Sequence, residues 1–101
     1  MVTNTNDILG LIDANKAEIG ELGITRVGLF GSFSRGDQNK NSDVDLLVEF
    51  DKSKKNFRNY MDFVELAESL FGREVEVVTP ESLSPYIAPY ITKDVKYVET
   101  A

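Results

Sequence analysis

Two aspartates separated by one residue, Asp43 and Asp45, stand at the head of an otherwise apolar run, DVDLLVEF. A carboxylate buried without a partner is costly, so the pair must face water or meet something positive. On a strand, residues i and i+2 point to the same side. Asp43 and Asp45 would then stand side by side, with Val44 anchored in the core behind them. Like charges that close repel, and one of the two tends to hold its proton. A divalent cation removes the conflict. The chain has no histidine and no cysteine, so the donors are oxygens, which suits Mg2+ or Mn2+ and not zinc. Glu76, flanked by valines in VEVV, adds a third carboxylate if its strand lies beside the first. Three acids converging on one wet face match two-metal phosphoryl transfer, in which one ion activates the attacking oxygen and the other steadies the leaving phosphate. The competing reading is a solvated strand edge, and Glu49 and Glu74 on similar faces are acids used that way.

Upstream, Gly31 and Ser32 close another strand-like segment just before a short helical turn ending at Arg35. Backbone N–H groups at a helix start attract anions, and a glycine there lets a phosphate approach the main chain. The Ser32 hydroxyl can add a hydrogen bond, Arg35 can add charge-assisted ones, and Gly36 permits a sharp exit. The spacing from Gly31 to Gly36 imitates a P-loop, but Asp37 and Gln38 occupy the positions of its Lys and Ser/Thr. An acid there repels phosphate, so a P-loop NTPase is excluded. Taken alone, Gly31-Ser32 also reads as an ordinary strand-ending turn.

These groups must be held by a small scaffold. At 101 residues, 42% apolar and 28% charged, the chain is expected to form one soluble globular domain over 1–101. No apolar run reaches the ~18 residues of a membrane span. The N-terminal MVTNTNDILG lacks the basic and apolar regions of a signal peptide, which points to the cytoplasm and to no membrane partner. The missing histidines and cysteines exclude Ser-His-Asp chemistry, disulfides and cysteine nucleophiles, and leave a carboxylate as general base. A net charge of −6 argues against extended nucleic-acid binding.

Periodicity predicts a helix over 6–22, capped by Thr5, Asn6 or Asp7 and ended by Gly20 or Gly23. Strands are expected at 25–31 and 42–50, then a helix at 56–71 carrying Phe57, Tyr60, Met61, Val64, Ala67 and Phe71 on its apolar face. A third strand follows at 73–79, a helical turn at 80–82, a short helix at 85–92 and a last strand at 95–99. Helices alternating with strands around one sheet give an α/β or α+β class. Lys52, Lys54, Lys55 and Arg58 read as a solvated loop and helix start, or as a contact for an acidic partner or a nucleotide tail. Tyr86, Ile87, Tyr90 and Ile91 read as core or, less simply, as a partner surface.

Together, Gly31-Ser32, Arg35-Gly36, Ser42-Asp43-Val44-Asp45-Leu46 and the later Glu76 resemble the minimal nucleotidyltransferases of the DNA polymerase β-like superfamily over nearly the whole chain. The resemblance implies a small mixed β-sheet flanked by helices. It implies ATP or another NTP bound through Gly31, Ser32, Arg35 and Ser42, and Mg2+ (or Mn2+) held by Asp43 and Asp45. Glu76 matches a third carboxylate, commonly Asp in such proteins, that binds the nucleophile-side metal and takes the acceptor's proton. Family members of this size often act as antitoxins toward a HEPN-domain ribonuclease toxin, and some transfer AMP to a toxin tyrosine. Three functions stay open at this point: nucleotidyl transfer to a hydroxyl, neutralisation of a partner by contact with a vestigial site, and NTP sensing without transfer.

Overall fold

In the computed structural model, which describes residues 2–100, the chain opens with two helices rather than one. These are α1 (Thr5–Ala14) and α2 (Lys16–Glu21), with Asn15 between them. The Asn15 side chain donates back to the Leu11 carbonyl at 2.8 Å, a local bond that competes with helix continuation. The cap is Asn4, one residue before the expected candidates, and its side chain accepts from the Asp7 backbone N–H. Ile8, Ile12 and Ile19 are buried as the periodicity requires.

Strand β1 (Ile24–Phe30) runs into a five-residue helix, α3 (Gly31–Arg35). Strand β2 (Val44–Phe50) pairs antiparallel with β1. A short helical turn (Lys52–Lys54) leads to α4 (Phe57–Phe71), capped by the Asn56 side chain and stopped by Gly72. Strand β3 (Val75–Val78) then pairs parallel with β2, as a helical crossover dictates. After another helical turn (Pro80–Ser82) and α5 (Ala88–Thr92), β4 (Lys96–Glu99) pairs antiparallel with β1. The result is a mixed four-stranded α+β sheet in the order β3-β2-β1-β4, flanked by helices.

One sheet face supplies Val27, Leu29, Val44, Leu46 and Val48 to the core, all fully buried. Against it lie α1 and α2 through their isoleucines, and α4 through Phe63, Ala67 and Phe71. Each such Ile or Phe contributes roughly 1.5–3 kcal/mol over leaving it exposed. Of the expected apolar stripe of α4, Tyr60, Val64, Ala67 and Phe71 face the core. Phe63 joins them, while Phe57 and Met61 are exposed, because they lie on the outer side of the helix. Among the described residues, no helix is long and apolar enough to cross a membrane.

Candidate active site

The sheet register brings the key acids together. Asp45 of β2 sits opposite Glu76 of β3 and, on its other side, opposite Phe30 of β1. Val44 and Val75, one residue back, are likewise paired and turned to the core side. Strand alternation therefore sets both carboxylates on the other face, Asp45 half-buried and Glu76 exposed. Burial, then the neighbouring Glu76 carboxylate, then Asp43 push the Asp45 carboxyl up to about 6. Arg35 opposes that rise. Negative charge on the pair is therefore disfavoured, and a cation there would offset it.

Gly31 presses on this pair from the end of β1. Its φ is +72°, and a Cβ there would overlap the Asp45 carboxylate. Only glycine serves both requirements. Gly31 and Ser32 then open α3, whose Phe33 is fully buried. The helix is fastened at its back: the Thr5 hydroxyl donates to the Phe33 carbonyl and the Ser34 hydroxyl to the Asp94 carbonyl. Arg35 ends α3, half-exposed and paired with Asp37 at 3.1 Å.

Asp43 departs from the expectation. The strand begins at Val44, so Ser42 and Asp43 belong to the preceding loop, and Asp43 is exposed. Ser42 closes a turn: its Oγ accepts from the Asn39 N–H at 2.9 Å, and its own N–H donates to the Asn39 carbonyl at 3.1 Å. Among the described residues no three carboxylates are grouped at ligand spacing. Asp45 and Glu76 form the close pair, and Asp43 adds its charge from the loop. A hard divalent cation fits this donor set, which is all oxygen and net negative.

Sequence reasoning passed over Arg73. It lies outside β3 and folds back across the loop. Its Nη1 donates to the carbonyls of Asn39, Lys40 and Ser42 at 3.2, 3.1 and 3.0 Å, and its Nε to the Val2 carbonyl at 2.9 Å. The guanidinium also covers the Phe33 ring, 5.0 Å from its centroid. Arg73 thereby fixes both the loop that delivers Asp43 and the helix that carries Ser32. A lone arginine directly after a helix-ending glycine was the available signal.

The aromatic cluster does not join the core that its composition predicts: Tyr86, Ile87 and Tyr90 are 86%, 52% and 78% exposed. With β4 taken up by the β1 edge, nothing among the described residues covers the segment before it. Tyr90 and Ile91 instead line a cleft with Gly31 and Arg35.

The family model for the nucleotidyltransferase domain matches residues 11–98. Protein adenylyltransferase MntA of Thermococcus cleftensis is 34% identical over 93 residues, covering 91% of this chain and 93% of that protein. The solved structure of a candidate minimal nucleotidyltransferase superposes with a TM-score of 0.71 at 26% identity, over 87% of this chain and 93% of that one. A more distant likeness, in fold alone, is to a complex of a tri-AMPylated Shewanella oneidensis HEPN toxin with its MNT antitoxin. There the TM-score is 0.54 at 19% identity, over 83% of this chain and 68% of that one. The chain belongs to the nucleotidyltransferase domain family, among its minimal nucleotidyltransferases.

Proposed function

We propose that this nucleotidyltransferase is a protein adenylyltransferase that moves AMP from ATP to a tyrosine hydroxyl of a partner protein. We take the partner to be a HEPN-type toxin, for which the chain acts as antitoxin in the cytoplasm, where ATP is abundant. The observation that carries the reading is the cross-strand pair of Asp45 and Glu76 standing against Gly31. The names of the relatives support it: one is a protein adenylyltransferase, and another is the antitoxin of an AMPylated HEPN toxin.

In this reading the phosphates lie against the backbone N–H groups of Gly31 and Ser32. The Ser32 hydroxyl, Arg35 and Ser42 are further polar contacts. Asp43, Asp45 and Glu76 would hold Mg2+ or Mn2+, which supplies charge neutralisation at the phosphates and eases deprotonation of the acceptor. Glu76, the more exposed of the paired acids, takes the proton of the incoming hydroxyl. The hydroxyl oxygen bonds to the α-phosphorus, the bond to the β-phosphate oxygen breaks, and pyrophosphate leaves with the electron pair. A protein-borne hydroxyl arrives on its own scaffold, already oriented, which supplies the positioning the reaction needs. The net charge of −6 disfavours a long nucleic acid as acceptor.

A second reading, neutralisation by contact alone, is favoured by the exposed Tyr86 and Ile87 and by Asp43 standing apart from the carboxylate pair. Co-expression with the partner separates the two. Transfer predicts an AMP added to the partner that disappears with Asp43→Asn. A partner neutralised equally by wild type and variant, with no mass change, rejects transfer.

A further inference from the structure

The cleft beside the carboxylate pair is built by two segments far apart in sequence. Phe30, Gly31 and Arg35 form one wall and Tyr90, Ile91 and Asp94 the other, around about 280 Å3. The walls are tied together. The Ser34 hydroxyl donates to the Asp94 carbonyl, and Lys96 Nζ donates to the Ser34 carbonyl at 2.6 Å. The cleft is therefore formed before anything enters it.

It is also continuous with the reaction centre. Gly31 abuts the Asp45 carboxylate, and Arg35 stands near enough for its charge to act on Asp45. A nucleotide whose phosphates rest on Gly31 and Ser32 has its sugar and base within reach of this space. The volume falls just short of the range for clefts that enclose drug-sized ligands, and it suits one heterocyclic ring system better than a whole triphosphate. Of the other three tyrosines none lines the cleft: Tyr60 donates to the Val77 carbonyl, Tyr97 lies under the Arg26 guanidinium, and Tyr86 is exposed to solvent. Tyr90 lines the cleft yet is 78% exposed, so its ring is open for stacking. Aromatic side chains and planar guanidinium groups are the surfaces on which nucleobases stack.

We propose that this cleft is the base-binding subsite, with Tyr90 as stacking platform and Arg35 on the facing wall. The inference rests on the nucleotidyltransferase reading and adds the group that holds the base. Because stacking scales with ring area and reads no hydrogen-bond pattern, the subsite prefers purine over pyrimidine nucleotides.

The test is calorimetric titration of the full chain, in Mg2+, with ATP, CTP and inorganic tripolyphosphate. Tyr90→Ala should weaken ATP binding by roughly 5- to 100-fold, leave tripolyphosphate unchanged and erase the preference for ATP over CTP. Tyr90→Phe, which keeps the ring, should bind ATP as wild type does. Tyr90→Leu is a second probe that keeps apolar bulk without a π-face, and it should behave like the alanine variant. ATP binding unchanged in Tyr90→Ala would overturn the subsite while leaving the nucleotide reading intact. Equal weakening of ATP and tripolyphosphate would make Tyr90 a structural residue and overturn it as well. Wild type binding neither ligand would overturn the nucleotide reading, and the subsite with it.

Discussion

Arg73→Ala should damage both stability and transfer, through one side chain that touches no substrate. Its Nε–H bond to Val2 counts as one hydrogen bond. The Nη1 bonds to three carbonyls share one nitrogen and count as about one more. Bonds from a charged donor are worth about 1.5–3 kcal/mol each, and partial exposure brings each nearer ~1 kcal/mol. Stacking over Phe33 adds about 0.5–1 kcal/mol. The sum is about 2–3 kcal/mol, which for a chain of this size lowers Tm by roughly 10–20 °C. Urea and thermal unfolding measure that part. The loop from Asn39 to Ser42 also loses its anchor, so Asp43 is no longer held and kcat should fall more than the affinity for nucleotide. Arg73→Lys should lie between, because one ammonium cannot reach Val2 and the loop together or lie flat on the ring. Wild-type stability and turnover in Arg73→Ala would refute this reasoning and leave the Asn39–Ser42 turn as its own support.

The Asp45 carboxyl, raised from 3.8 to about 6, makes the metal-free protein less stable as pH rises. The folded state binds its proton more tightly than the unfolded state does, so the penalty is absent below about pH 4 and complete above about pH 6. A rise of that size corresponds to about 3 kcal/mol, roughly halved for solvent screening at a half-buried group. Without metal, Asp45→Asn should therefore be more stable than wild type by about 1–2 kcal/mol at pH 7 and no more stable at pH 4. Mg2+ should raise the Tm of wild type and not that of the variant. Gly31→Ala should cost at least ~1–2 kcal/mol from its left-handed backbone alone and abolish transfer, because the new Cβ displaces Asp45. Gly36→Ala, with φ +78° but open space around it, should cost only what the backbone demands, as urea titration of the two variants would show.

What could be read in the sequence was what depends on neighbours in the chain. Strand alternation is local, so Val44 and Val75 facing inward already implied that Asp45 and Glu76 face outward. Gly31, Gly36 and Gly72 announced their turns because positive φ is a property of single residues. What could not be read was set by contacts across the fold. Asp43 leaves the strand because Arg73, thirty positions later, holds the loop. The leading helix breaks because one asparagine amide finds a carbonyl. Tyr86, Ile87 and Tyr90 have the composition of core, and only the docking of β4 on the β1 edge decides that they stay outside. The pairing of Asp45 with Glu76 depends on the register that α4 imposes on β3, which spacing alone suggests without fixing.

The central claim is that the Asp45–Glu76 pair directs attack at the α-phosphorus of ATP. Two parallel incubations of the chain with its partner and Mg2+ test it, one with ATP labelled at the α-phosphate and one with ATP labelled at the γ-phosphate. Attack at the α-phosphorus puts the α label on the partner's tyrosine and releases the γ label as pyrophosphate. Both signals should vanish in Asp45→Asn and fall steeply in Glu76→Gln. A γ label on the partner, or an α label that survives Asp45→Asn, would contradict it.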